Sequence, residues 1–179
     1  MSRPAVRPTG VERTFGQDEV IVTKTDRAGR MTYVNDVFCR VSVYPETEML
    51  GQPHNMIRHP DMPRAVFKLL WDTVGAGSEI FAFVVNLAAD GAHYWVLAHV
   101  TPTLDARGAV VGYHSNRRVP GREAVAAVEE LYRELCAVEA RAGSANEAAA
   151  AGYDALLARL DQAGQTYDEF VWSLIGEAA

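Results

Sequence analysis

From Ile80 to Arg117 the chain reads as three β-rich runs, about Ile80 to Ala88, His93 to Thr103 and Ala109 to Arg117, joined by Asp90-Gly91 and by Asp105-Ala106-Arg107-Gly108. Asp-Gly between β-branched and aromatic runs is a strong hairpin signal, so this part of the chain is committed to an antiparallel meander. Upstream, Val20 to Lys24 and Met31 to Val34 flank Asp26-Arg27-Ala28-Gly29 and predict a first hairpin, with Gly29 free to take positive φ. Between the two β regions the period turns helical. Phe38, Val41 and Val43 mark a helix starting near Asn35, and Pro45-Glu46 opens a further short one. Asp61 is placed to cap a longer helix over about Met62 to Val74, which Gly75-Ala76-Gly77 ends. These elements predict an α+β fold, a five-stranded antiparallel sheet with helices on one face. Met1 to about Gly16 has no clear period and is expected to be a loose or weakly helical lead.

Inside the helical stretch lies Pro53-His54-Asn55-Met56-Ile57-Arg58-His59-Pro60-Asp61-Met62-Pro63. Its prolines lack an N–H and bias the preceding residues toward extended geometry, so no single helix can run through it. A stiff, irregular turn bearing Arg58, His59, Asp61 and His54 suits a polar ligand, because binding groups concentrate on loops held by a rigid scaffold. The same residues would equally serve to cap helix ends and pair with one another.

Composition narrows the function classes. With 179 residues and 49% hydrophobic content the chain can bury a core. A net charge of −6 with no Lys/Arg run argues against a nucleic-acid surface. No stretch approaches the length of an apolar membrane span, and no signal peptide opens the chain, so the expectation is a soluble, cytoplasmic protein. Cys39 and Cys136 form no CxxC motif and are expected to be small buried hydrophobes. Kinase motifs, a Walker loop, a nucleophile elbow and HExxH are all missing from the sequence, which argues against an enzyme.

Beyond Gly121, Val125, Val128, Tyr132, Leu135 and Val138 recur at steps of three and four and predict an amphipathic helix. After a break at Arg141-Ala142-Gly143, Ser144-Ala145-Asn146-Glu147 reads as a capping box opening a second such helix, bent near Gly164. The two form a C-terminal helical hairpin, whose apolar stripes are buried within one chain or in a homodimeric bundle.

The order of two strands, several helices and three strands is that of a PAS domain. The Pro53 to Pro63 run, the Tyr33-Val34-Asn35 corner, Asp90-Gly91-Ala92-His93-Tyr94-Trp95-Val96 and Ala124 to Tyr132 together resemble the PAS sensor of bacterial aerotaxis receptors over residues 18 to 135. The resemblance divides the chain into a lead (1–17), a PAS sensor domain (18–119) and C-terminal helices (120–179). It implies non-covalent binding of FAD and reporting of redox state or oxygen to a signalling protein, a chemotaxis receptor or kinase module acting in trans. Arg58, His59 and Asp61 match motif residues on which flavin binding depends in the family, and Asn35 and Trp71 fall on further pocket positions. His54 and Asn86 join them as candidate contacts. The sequence departs from the family pattern at Phe81, where a tryptophan is expected, and at Val85-Asn86-Leu87-Ala88-Ala89, where the family carries basic residues. Two alternatives stay open: a haem b sensor using one of His54, His59, His93, His99 or His114, and a cofactor-free dimerisation module. A light-sensing LOV domain requires an Asn-Cys-Arg motif, and this chain has His-Asn-Met-Ile-Arg-His at the comparable helix.

Overall fold

The computed structural model describes residues 6–176. Two hairpin strands, β1 (Ile21–Asp26) and β2 (Met31–Val34), precede α1 (Asp36–Ser42) and α2 (Glu46–Met49). A 3-10 turn (His54–Ile57) and α3 (Arg64–Gly75) follow, then the meander β3 (Ile80–Leu87), β4 (His93–Leu104) and β5 (Val110–Arg118). The chain ends in α4 (Arg122–Glu139), α5 (Ala145–Ala163) and α6 (Tyr167–Gly176). The sheet is antiparallel throughout with strand order β2-β1-β5-β4-β3, so β5 is its middle strand.

Side chains alternate across the sheet. Ile21, Phe38, Val41, Met49, Ile57, Val66, Leu70 and Val96 are buried where the inner face meets α1 to α3. The outer face is covered at its β3–β4 end by the C-terminal helices. Tyr132 donates its hydroxyl to the Phe83 carbonyl at 2.5 Å, its ring lies 5.9 Å from that of Trp95, and Trp172 of α6 leans on Phe81 at 4.9 Å.

Four local expectations are corrected. The lead, in its described part, is neither loose nor helical. It is an extended strap in which Thr9 N donates to Gly91 O, His93 N to Val11 O and Arg13 N to His93 O, all at 2.8 to 2.9 Å. The reason is a free edge: β5 pairs with β4 only from Leu97 onward, so the first residues of β4 need another partner on that side. Arg13–Asp90 and Arg122–Glu12 ion pairs, 2.5 Å each, fasten the strap to the β3–β4 turn and to α4. The left-handed turn residue Gly91 admits it, since a Cβ there would sit 2.4 Å from Arg7 O.

Asp61 does not cap α3, which begins after Pro63 with its first amides reaching elsewhere. The cap comes from α4, whose Glu139 accepts from Arg64 N and Ala65 N at 2.9 Å each. This carboxylate satisfies two of the open amides at a positive helix end. α5 makes room for it with Gly152, where a Cβ would meet Glu139 Oε1 at 2.5 Å.

The C-terminal segment holds three helices rather than a bent pair, because Gly164 adopts φ 66 and ends α5. Ser144 caps α5 as expected, its Oγ accepting from Glu147 N at 3.2 Å. The two cysteines are free and half-buried instead of buried.

Replacing Glu139 with Ala is expected to lower unfolding stability by on the order of 1 kcal/mol, read by urea titration. Gly152→Ala should destabilise as well, although alanine normally favours a helix, because the added methyl displaces the Glu139 carboxylate.

Candidate functional site

A cavity lies between the inner face of the sheet and the segment from His54 to Trp71. It opens to solvent at its mouth, and the space within it is about 60 Å³. Ile57, Phe67, Leu70, Val84, Ala98 and Val100 give it flat apolar walls. Trp71, 39% exposed, stands at the rim with its ring edge-on to Tyr113 at 5.2 Å.

Into this apolar slot project polar groups of an unusual kind. Arg117 is 4% exposed, yet no carboxylate lines the cavity to neutralise it. Its Nε donates to Ser115 Oγ at 3.1 Å, and its Nη2 donates to Thr23 Oγ1 at 2.7 Å and to His54 Nε2 at 2.6 Å. The guanidinium carbon sits 5.4 Å above the centre of the Phe38 ring. Burial lowers its pKa to about 10, which leaves it charged at neutral pH. Since an arginine can only donate, His54 Nε2 must accept, and the imidazole is neutral with its proton on Nδ1. Burial first, and the Arg117 charge second, hold the His54 pKa well below 6.5.

Four buried polar atoms around this cavity have no hydrogen-bond partner: Arg117 Nη1, Arg58 Nε, Asn86 Nδ2 and Thr25 Oγ1. Such atoms are rare in folded proteins because each forfeits its hydration. Three of the four are nitrogen donors. The cavity therefore matches a planar, largely apolar molecule that presents several hydrogen-bond acceptors along its edge.

The eight candidate residues divide. Arg58, His54, Trp71 and Asn86 line the cavity. Arg58 arrives there because the backbone of Arg58 forms an antiparallel bridge with Asn86, extending the sheet by one residue pair beyond β3. Its Nη2 also donates to Met62 O at 2.5 Å, and burial lowers its pKa. Alternation then sends His59 to the opposite side. His59 is buried in a second cavity against Asp61, His93, Trp95, Tyr132 and Cys136, under α4. Its Nδ1 accepts from Asp61 N at 3.2 Å, its ring lies 5.8 Å from that of His93, and burial lowers its pKa. Asp61 has an 86% exposed side chain, 3.6 Å from His59 Nδ1. Asn35 lies outside the cavity, where its side chain accepts from Val22 N and Phe38 N and donates to Val20 O, joining β1 to the start of α1. Phe81 is on the outer face, stacked on His99 at 4.2 Å.

Sequence reading passed over Arg117, Ser115, Tyr113, Thr23 and Thr25. A signal was present in Tyr113, Ser115 and Arg117, which alternate along a strand that proves to be central. Polar residues on the covered face of a middle strand need partners, and here those partners enclose a cavity.

Residues 19–115, more than half of the chain, match the family model for the PAS fold, and the chain belongs to that family. It is 42% identical over 121 residues to the aerotaxis receptor of Escherichia coli strain K12, an alignment covering 68% of this chain and 24% of the receptor. It is 28% identical over 102 residues to a nitrogen fixation regulatory protein of Klebsiella pneumoniae, covering 57% of this chain and 21% of that protein. The chain thus spans about a quarter or less of these relatives' own length. Among solved structures, the dark state of the Aureochrome1 LOV photoreceptor superposes with a TM-score of 0.56 at 23% identity, over 64% of this chain and 86% of that one, a likeness of fold. Among the described residues no helix is long and apolar enough to cross a membrane, and no group of three or more His, Cys, Asp and Glu is placed to hold a metal ion.

Two outcomes are expected of the ligand-free protein. Asn86→Leu removes a buried amide with an unmade bond and should stabilise it by on the order of 1 kcal/mol in urea unfolding. Stability should fall as pH drops from about 7 to about 5.5, because the unfolded chain takes up a proton at His54 near 6.5 and the folded chain does not. His54→Gln should flatten this dependence, leaving the smaller part of the same sign due to His59.

Proposed function

We propose that the chain is a PAS sensor that holds FAD non-covalently with the flavin ring in the inner-face cavity, and that it signals redox state or oxygen to a partner protein in trans. The single observation that carries this reading is the set of unpaired donors, Arg117 Nη1, Arg58 Nε and Asn86 Nδ2, facing an apolar slot. A flavin ring is flat and bears carbonyl and ring-nitrogen acceptors along one edge, so it meets both demands. Kinship with the aerotaxis receptor supports the same assignment.

When bound, the ring supplies an edge whose charge and hydrogen-bonding character change with its redox state. Asn86 and Arg58 would hold that edge from the β3 side, with Arg117 opposite on β5 and His54 held neutral behind it. Phe67 and Leu70 would pack on the ring faces, and Trp71 would shield the rim. β5 continues through Val119-Pro120-Gly121 into α4, whose far end caps α3 through Glu139. A displacement of Arg117 or of α3 is thereby delivered to the C-terminal helices, which we assign as the output and homodimerisation element.

The haem alternative is less well supported. His54 is the one histidine among the residues lining this cavity, and its Nε2 lone pair is taken by Arg117 at 2.6 Å. Neither cysteine lines the cavity, in keeping with a function other than LOV-type adduct formation.

The visible spectrum of the purified protein tests the reading. Oxidised flavin bands that become those of free flavin on denaturation are expected, with FAD rather than FMN in the extract. A Soret band, or a colourless protein that takes up no added FAD, overturns it. Arg58→Ala should lower FAD affinity about tenfold or more while the protein stays folded.

A further inference from the structure

We propose that Arg117, outside the proline-rich motif, is the residue that fixes the charge of the bound ring, and that the cavity is built for a heteroaromatic ligand whose acceptor edge is anionic or becomes so. This rests on the flavin reading and adds to it a residue and a preferred ionisation state.

A guanidinium taken out of water without an opposing carboxylate costs several kcal/mol unless something else compensates it. Ser115, Thr23 and His54 supply three neutral acceptor contacts, and the Phe38 ring face supplies a weak fourth contact. None carries a negative charge, and Nη1 is left without a partner. The titratable groups that line the cavity are His54, Arg58, Tyr113 and Arg117, with no Asp or Glu among them. Arg58 adds a second positive charge and its own unpaired Nε. Tyr94, buried on β4 and close enough to Arg117 to feel its charge, is held as the neutral phenol by burial. No residue lining the cavity is acidic, and Glu139, which acts on Arg58, lies outside that lining. An anionic ligand edge would gain the full Coulomb attraction of a low-dielectric site, whereas a neutral one would gain only hydrogen bonds.

Riboflavin is a suitable probe, because it carries the ring without phosphates and its imide N–H ionises in alkaline solution with a visible spectral change. Bound to the full-length wild-type protein, the ring is expected to lose this proton at a pH lower by about one unit or more than free riboflavin. Arg117→Gln should bind riboflavin about tenfold more weakly by fluorescence quenching and lose the ionisation shift. An Arg117→Gln protein that keeps the shift overturns the proposal, and so does a wild-type protein whose bound ring ionises no more readily than free riboflavin. Should Arg117→Gln fail to fold, Arg58→Gln decides: a shift that survives this substitution supports Arg117 as its source, and a shift that is lost overturns the proposal. Failure of the wild-type protein to bind riboflavin or FAD overturns the flavin reading itself, a result distinct from binding without the shift.

Discussion

A positive charge buried on the middle strand of the sheet dictates much of how the rest of the PAS domain is arranged. Arg117 cannot be solvated and has no carboxylate, so every strand and helix that approaches it must offer a neutral acceptor or a ring face. β1 offers Thr23, β5 itself offers Ser115, the 3-10 turn offers His54 and α1 offers Phe38. Three of these contacts connect elements that are distant in sequence, Thr23 lying 94 positions and His54 63 positions before Arg117. The 3-10 turn in particular owes its placement to this charge. His54 is delivered to Arg117 as a neutral acceptor because Pro53 starts the turn in extended geometry and the turn closes again at Arg58.

The second organising contact is the Glu139 cap. Helix α3 forms one wall of the cavity, and its first amides are satisfied by a residue from the end of α4. Helix α4 in turn starts directly after β5, the strand of Arg117. The same helix therefore touches the cavity walls at both of its ends, once through covalent continuity and once through a charged cap. A helix fixed in that way cannot stay put if the two walls move relative to each other. Such a linkage needs no chain of intervening side chains, only the rigidity of α4 itself.

Much of this architecture was legible in the residues. Asp90-Gly91 and the Asp105 to Gly108 turn placed the meander to within a residue or two, and Ser144 announced its own helix cap. What escaped sequence reading was long-range. Glu139 caps a helix 75 residues earlier in the chain, so the local pattern pointed to Asp61 instead. The strap at Thr9 to Arg13 forms because β4 outruns β5, a fact of register that no local period encodes. At the site, the proline-rich motif led to Arg58 and His54, but Arg117 stayed hidden. A lone arginine near the end of a strand reads as a surface charge until the strand is known to be the central one. Phe81 and Asn35 were placed by resemblance, and the structure gives them outer-face stacking and a backbone clamp, respectively.

The motif itself is best understood as two half-motifs sharing a backbone. Arg58 pairs with Asn86 across the extended sheet edge, and its side chain enters the inner cavity. His59, one residue on, must point the other way and is buried beneath α4, while the neighbouring Asp61 carbonyl accepts from Cys136 Sγ at 3.4 Å. Arg58 and His59 are adjacent, and Pro60 and Pro63 stiffen the chain that follows, so a shift of Arg58 is passed on to His59 and Asp61. A substitution at His59 would then disturb the cavity through the backbone and through α4, without His59 lining that cavity. In the proposed flavin complex, residue 58 is the one of the two whose side chain faces the cavity.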